Sequence, residues 1–184
     1  PQGSSVRSAA MTAPDLATAA TVIDLASKVV DAAVGRLATL EGGVDANQVL
    51  AYEVAHAAAA VATGKGLLDY GAKGEVEGKI TCAFIADAVA DLAGKIFGQE
   101  AEFGVEPGAL DGARDFVATY KAAEFLASIT DPGPRHLDGD FELVQDTFRR
   151  YAEQELAPRA EHVHRTNGDI PEEIIAGLAE MGAF

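Results

Sequence analysis

Few side chains in this sequence are suited to catalysis or metal binding, and they are scattered along it. Two histidines near its end are the first candidates, as metal ligands. His162 and His164 could bind a metal ion, but two residues apart on a helix they point to different faces. The histidine pair of helical metal sites lies one turn apart instead. No cysteine and no further histidine lies near them in the sequence. We therefore expect a surface role for both and assign no metal ligand.

The single cysteine is the next candidate, as a nucleophile. Cys82 falls beside Phe84 on the apolar face of a predicted helix, where burial would raise the pKa of the thiol and make it unreactive. We expect it to pack in the core. One cysteine cannot form an internal disulfide, which fits a reducing cytoplasm. His56 lies among alanines, and we expect a core or interface histidine rather than a ligand.

The segment 64–79 is rich in glycine and lysine and invites comparison with a phosphate-binding loop. The Walker pattern needs four residues between its glycines and Ser or Thr after the lysine. Here Gly74 and Gly78 enclose three residues, two of them glutamates that would repel phosphate, and Ile80 follows the lysine. We interpret the segment as a turn between helices. Neither a Gly-x-Ser-x-Gly motif nor a distinctive carboxylate pair is found, so we assign no catalytic and no cofactor-binding residue.

Composition limits the function classes further. The 184 residues carry a formal net charge of −15, which argues against binding to nucleic acid or to anionic membrane surfaces. No apolar run is long enough for a transmembrane helix, and the first residues lack the pattern of a signal peptide. A cytoplasmic protein is expected. Apolar residues make up 48% of the sequence, and many of them are alanines. Because alanine is a strong helix former with a small side chain, this composition favours an all-α fold of closely packed helices.

Hydrophobic periodicity places four helices in the first 130 residues. The first begins after Asp15 and ends near Leu40, and a seven-residue repeat along it predicts a packing seam: Leu16, Ala19, Ile23, Ala26, Val30, Ala33, Leu37 and Leu40. Because other helices follow at once, we interpret it as a bundle helix rather than a free coiled coil.

Three further helices are predicted. The second starts at a capping box formed by Asp45 and Gln48 and ends near Tyr70. The third covers Val76 to Phe97, and a loop follows over 98–108. The fourth covers Asp111 to about Ile129. Core-facing residues are predicted on the third helix (Cys82, Ile85, Val89, Leu92, Ile96) and on the fourth (Phe116, Tyr120, Ala123, Ala127).

The sequence Asp-Pro-Gly-Pro at 131–134 is the strongest break in the chain. We therefore expect residues 1–12 to be a disordered tag or leader, with Met11 a candidate native start, and 13–130 to form a helical unit. A linker is expected over 131–140, and a second helical segment over 141–184.

The segment 141–184 is predicted to form a long amphipathic helix followed by a short helix. Phe141, Val144, Phe148, Tyr151 and Ala152 share one predicted face. Asp138 can cap this helix, and Pro158 should end or kink it near Leu156 or Ala157. The turn Thr166-Asn167-Gly168-Asp169 then leads to a helix that starts after Pro171 and ends at Gly182.

The order of these features resembles the start of the acyl-CoA dehydrogenase family. The resemblance lies in Arg-Arg-Tyr-Ala-Glu at 149–153, Leu-Ala-Pro-Arg-Ala at 156–160, Ile-Pro-Glu-Glu-Ile-Ile at 170–175 and Leu-Ala-Glu-Met-Gly-Ala-Phe at 178–184. The preceding part resembles the extended, methylsuccinyl-CoA dehydrogenase-like subgroup, through the stretches 53–61, 74–77 and 90–96. On this resemblance, 13–130 is an N-terminal extension and 141–184 the start of a truncated N-terminal helical domain.

The resemblance implies a function for the full-length protein. The family uses FAD, oxidises an acyl-CoA to its enoyl-CoA through a glutamate base and hydride transfer to the flavin, and passes electrons to an electron-transferring flavoprotein. A short branched, methylsuccinyl-CoA-like substrate and a homo-oligomer are expected. In the family the glutamate and most flavin contacts lie further downstream, so none is carried onto a residue here, and the 184-residue chain alone is expected to be inactive.

Two alternatives remain open. The chain could be a stand-alone, non-enzymatic helical module for protein interactions, which its packing seam and acidic surface would suit. It could also belong to the same family but act on a different acyl-CoA.

Overall fold

A computed structural model describes residues 12–130 and 133–184. The expected tag or leader therefore lies almost entirely outside the described residues, as do two residues of the expected linker. The chain divides into two compact units, Pro1–Gly133 and Pro134–Phe184, called here the N-terminal and C-terminal units. Helices, turns and irregular segments account for every described residue, with no β-strand among them, and this confirms the all-α prediction.

The first helix of the N-terminal unit, α1 (Leu16–Thr39), follows the predicted bounds closely. Its Asp15 cap accepts hydrogen bonds from the backbone N–H and the hydroxyl of Thr18, at 2.9 and 2.6 Å. Six of the eight seam residues are buried, and their burial supports the interpretation as a bundle helix: Ala19, Ile23, Ala26, Val30, Ala33 and Leu37.

A short helix, α2 (Gly43–Ala46), precedes α3 (Gln48–Gly71), and the predicted capping box is absent. Asp45 belongs to α2, and Asn47 takes the cap position of α3. The Asn47 side chain donates to the carbonyl oxygens of Glu41 and Gly43, at 3.1 and 2.8 Å, instead of capping α3. The capping prediction was wrong because the chain turns helical earlier than the pattern indicates.

The helices α1, α3 and α4 (Glu75–Ile96) pack against one another around one hydrophobic core. All five predicted core residues of α4 are buried, as are Val54, Ala57 and Val61 of α3. Gly64 allows the close approach of α3 to this core, because a Cβ there would lie 2.8 Å from Cδ1 of Ile23. Alanine and glycine thus bring the three helices close together.

The predicted fourth helix is broken into shorter pieces. A 3₁₀ turn at Asp111–Ala113 leads to α5 (Arg114–Tyr120), and α6 (Ala123–Ala127) follows. Ala122 between them is extended, with ψ 135°, which rotates the following residues. Phe125 is therefore buried against the Tyr120 ring, with centroids 4.9 Å apart, whereas Ala123 and Ala127 are exposed. The prediction was right for Phe116 and Tyr120 and wrong beyond them.

The C-terminal unit starts with α7 (Gly139–Tyr151), whose first turn is capped by Asp138 at 3.0 Å from the Phe141 N–H. A π-helical turn, Ala152–Leu156, continues directly into α8 (Ala157–Thr166). The helix therefore does not end at the predicted position near Leu156 or Ala157, but its regular α-helical pattern is interrupted there by the π turn. Pro158 lies in the first turn of α8, directly after the π turn, in which the Ala157 N–H bonds five residues back to Ala152.

The final helix, α9 (Glu172–Glu180), follows the predicted turn. Asn167 adopts the left-handed conformation with φ 49°, and Gly182 ends α9 with φ 79°. Tyr151 holds α9 to α7, because its hydroxyl donates to the carbonyl oxygen of Ile174 at 3.0 Å. Its ring also fills the space beside Gly177. Ile174 is the buried residue of this unit.

Candidate functional site

Cys82 lies fully buried in the core of the N-terminal unit. Desolvation by burial raises the pKa of its thiol, although the backbone of Asp15 donates a hydrogen bond that opposes the shift. A neutral, inaccessible thiol is a poor nucleophile. The predicted packing role is confirmed.

The glycine- and lysine-rich segment is mostly helical rather than a turn. α3 continues to Gly71, and only Ala72 to Gly74 separate it from α4. Lys79 is buried and pairs with Glu75 at 2.8 Å, so its ammonium group is held by a carboxylate of its own helix. Gly64 and Gly71 pack against side chains of α1 and α4 instead of forming a phosphate cradle.

The histidines are not brought together. His56 is exposed, which excludes the core alternative of its predicted role and leaves the interface alternative as a prediction; its ring contacts that of Tyr52 at 4.4 Å. His162 and His164 are exposed on α8. Across residues 12–130 and 133–184, no cluster of three or more His, Cys, Asp or Glu side chains could hold a metal ion.

A cleft of the N-terminal unit has a volume of about 820 Å³ and lies where α3 begins and α4 ends. Lys95 lines it and pairs with Glu53 and Asp91, each at 3.0 Å. Desolvation alone would lower the pKa of Lys95, but the hydrogen bonds and charges of these carboxylates outweigh it and raise the pKa. Arg36 and Glu102 line the rim. The sequence reasoning missed this network, although the four-residue spacing of Asp91 and Lys95 signals part of it.

A second cleft of about 530 Å³ has mainly apolar walls and lies between α4 and α5. Val89, Ile96, Leu110 and Val117 line it, and Phe97 is exposed at its edge. Arg114 also lines this cleft and is paired with Asp111 at 2.8 Å.

Neither cleft fits FAD, the cofactor that the resemblance implies. The larger one sets the carboxylates of Asp45, Glu53 and Glu102 against only the cations of Arg36 and Lys95, so it offers no excess positive charge to a pyrophosphate. The smaller one offers the Arg114 guanidinium only within its ion pair, with Glu100 beside it. No residue of either cleft is assigned to the flavin.

The C-terminal unit exposes a large apolar surface. Phe141, on the predicted face of α7, is 61% exposed and Val144 50%, and neither α7 nor α8 contains a buried residue. The other exposed apolar side chains of this unit include Leu143, Ile170, Ile175 and Phe184. Helices with such faces normally pack against further structure. Arg149 and Arg150 lie in the last turn of α7, where the Arg150 Nε bonds to the carbonyl of Asp146.

No helix in the described parts of the chain combines the length and the apolar character that a membrane crossing requires.

Comparison with known proteins gives two findings for this chain. The family described as "Acyl-CoA dehydrogenase, N-terminal domain" matches residues 139–184. A (2S)-methylsuccinyl-CoA dehydrogenase from Cereibacter sphaeroides is 44% identical over 52 residues, which cover 28% of this chain and 10% of the relative. The matched stretch thus spans about a tenth of that relative's length. No solved structure matches the chain.

The family match begins at Gly139, the first residue of α7, and runs to the end of the C-terminal unit. It includes the capped helix, the π turn and the helix held by Tyr151. The all-α character of this segment agrees with the helical domain that the resemblance implied. Residues 139–184 are therefore similar to the N-terminal domain of the acyl-CoA dehydrogenase family.

Proposed function

We propose that this chain is the front part of a flavin-dependent acyl-CoA dehydrogenase. The match of residues 139–184 to the family carries the proposal. The exposed apolar side chains of α7 and α9 support it, because the first helices of a larger domain would present such a surface to the rest of that domain.

The proposed division is a helical extension over 13–130, a linker over 131–140 and the start of the helical domain over 141–184. The extension has its own core built from α1, α3 and α4. Neither of the two clefts described above suits FAD, and we assign flavin binding and hydride transfer to other parts of the longer protein. The 184-residue chain alone is then inactive.

The proposed substrate is a short branched acyl-CoA like methylsuccinyl-CoA, and the proposed electron acceptor is an electron-transferring flavoprotein. The identity to a protein named (2S)-methylsuccinyl-CoA dehydrogenase supports this substrate class. No pocket residue of this chain supports one acyl-CoA over another, so the substrate is tested on the whole protein.

The decisive experiment is the mass of the native protein, detected in its source cells with an antibody to the N-terminal unit. We expect a species well above the 19.0 kDa of this chain. The purified species should carry bound flavin, seen by its absorption, and methylsuccinyl-CoA should bleach that absorption. A 19.0 kDa species without flavin would overturn the proposal and favour the stand-alone interaction module.

A further inference from the structure

The turn between α8 and α9 contains an asparagine followed by a glycine. The sequence has two asparagines, Asn47 and Asn167, and Asn167 is the one that precedes a glycine. Asn167 and Gly168 are both exposed. In such a pair the backbone nitrogen of the glycine can reach the side-chain carbonyl carbon of the asparagine, because glycine has no Cβ to hinder the approach. Sequence and exposure therefore favour the same reaction, a deamidation, at this turn.

The deamidation uses water as its only co-reactant. A bond forms between the Gly168 nitrogen and Cγ of Asn167, the bond from Cγ to the side-chain nitrogen breaks, and the Gly168 N–H proton leaves with that nitrogen as ammonia. Water then opens the resulting cyclic imide. Opening at Cγ gives aspartate at position 167, and opening at the main-chain carbonyl carbon gives isoaspartate, in which the backbone runs through the former side chain.

The folded turn opposes this reaction. The Gly168 N–H donates to the carbonyl oxygen of Val163 at 3.0 Å, and the Asn167 N–H to that of His164 at 3.3 Å. Asn167 adopts the left-handed conformation that caps a helix C-terminus, with φ 49° and ψ 39°. The Gly168 nitrogen can approach Cγ only if ψ of Asn167 rotates, and this rotation breaks the bond to Val163. The cap must therefore open before the ring can close.

Opening this cap costs little free energy, because it exposes little that is buried. Neither α7 nor α8 contains a buried residue, and the side chains of the turn itself already lie in solvent. Surface segments of this kind open locally far more often than core helices do. We infer that Asn167–Gly168 is a site of spontaneous deamidation, whose rate is set by the opening of the C-terminal cap of α8.

The modification changes the helix that the turn caps. Either product places a new carboxylate at the C-terminal end of α8, where the helix dipole is already negative. Isoaspartate also lengthens the backbone by a methylene group, which moves the Gly168 N–H away from the carbonyl of Val163. The last turn of α8 should therefore fray in older copies of the chain. The inference concerns this turn alone and does not depend on the proposed function.

Asn47 is the matched control within the same chain. Gln48 follows it, so a side chain hinders the attack on its amide. The Asn47 amide also donates to the carbonyl oxygens of Glu41 and Gly43, at 3.1 and 2.8 Å, which holds the side chain in place. It belongs to the unit that contains the hydrophobic core, where local opening is rarer.

The test follows the whole 184-residue chain at neutral pH by peptide mass spectrometry. Deamidation raises the mass of a peptide because an amide NH₂ becomes a hydroxyl, and chromatography separates isoaspartate from aspartate. The peptide with Asn167 should deamidate at least about tenfold faster than the peptide with Asn47. Hydrogen exchange of the aged chain should be faster over 163–168 than that of the fresh chain.

A synthetic peptide of residues 162–172 supplies the rate for an open cap, because so short a helix does not form stably in water. Asn167 should react more slowly in the folded chain than in this peptide. Gly168→Ala in the peptide should slow the reaction at least about tenfold, since the new Cβ hinders ring closure and no folded turn is disturbed.

Three results would overturn the inference. An Asn167 that stays intact in the folded chain while the synthetic peptide is fully converted would show that the turn is no modification site. Equal rates in the chain and in the peptide would contradict the control by the cap. A Gly168→Ala peptide that reacts as fast as the unchanged one would exclude attack by the Gly168 nitrogen.

Discussion

Gly64 shows how strongly one missing side chain shapes this protein. It lies inside α3, where glycine costs about 1 kcal/mol relative to alanine. A Cβ there would meet Ile23 at 2.8 Å and Ile85 at 3.3 Å, and both isoleucines are fully buried. The close helix packing therefore outweighs the helix propensity at this position.

Gly64→Ala should consequently lower the free energy of unfolding, by up to about 2 kcal/mol, because the cost of overpacking exceeds the gain in propensity. Gly94→Ala is the matched control in α4. A Cβ at Gly94 meets nothing within 4 Å, so this variant should be stabilised by up to about 1 kcal/mol. Urea denaturation of both variants checks the pair, and equal effects of the same sign would contradict the packing argument.

Asp15 should make the stability of α1 depend on pH. Hydrogen bonds from the hydroxyl and then from the N–H of Thr18 hold the pKa of this carboxyl below its usual value of 3.8. Its stabilisation is therefore present above that value and is lost as the pH falls through the lowered pKa. Asp15→Ala should lower the melting temperature at neutral pH, and the difference from wild type should shrink in acid.

Two variants serve as controls for this cap. Asp15→Asn keeps a capping oxygen that does not titrate, so its melting temperature should fall less in acid than that of the wild type. Asp31→Ala removes an exposed carboxylate from the middle of α1 and should have little effect. An Asp15→Ala penalty that stays constant down to about pH 2 would rule out the titration of Asp15 as its cause.

At the scale of elements, Tyr151 and Gly177 determine how α9 packs on α7. A Cβ at Gly177 would lie 2.8 Å from two ring atoms of Tyr151, so Gly177→Ala should displace α9. Tyr151→Phe removes the hydrogen bond to the Ile174 carbonyl and should cost about 1 kcal/mol. Faster amide exchange over 172–180 measures both effects.

Gly139→Ala is the control for this contact, because a Cβ at Gly139 meets nothing within 4 Å. It should leave exchange in α9 unchanged. If Gly177→Ala also left it unchanged, the contact with Tyr151 would not hold the helix.

Sequence patterns predicted the elements whose apolar repeats are long. α1 and α4 were found with their buried faces because their repeats extend over several turns and meet one continuous core. The break at Ala122 was missed because no glycine or proline marks it. Phe125 was missed for the same reason, since its burial depends on that break and on the ring of Tyr120.

The sequence predicted the role of a buried residue better than it predicted which helix side is exposed. The packing role of Cys82 followed from its neighbours in sequence. The exposed side of α3 was not predicted, because its alanines match a core pattern as well as an exposed one. The side of α3 that remains exposed becomes clear only from its packing against α1 and α4.

At the scale of the whole molecule, the two units should differ in stability. The N-terminal unit contains the hydrophobic core, whereas the C-terminal unit buries Ile174 and exposes much of its apolar surface. We expect amides of α1, α3 and α4 to exchange slowly and those after about Pro134 to exchange much faster. Hydrogen exchange with mass spectrometry measures this, and uniform protection from Asp15 to Met181 in a monomer would contradict it.

The π turn at Ala152–Leu156 has a consequence for how this segment tolerates length changes. Each residue of an α-helix advances the direction of its side chains by about 100°, and a π turn accommodates one residue more than an α turn would. Deleting one residue there would therefore leave a regular α turn and keep α7 and α8 joined with little rotation between them. A deletion in the middle of α7 would instead turn all following helical residues by about 100°. The π turn and the polar turn at 167–170 should thus both tolerate the loss of one residue better than the middle of α7 does.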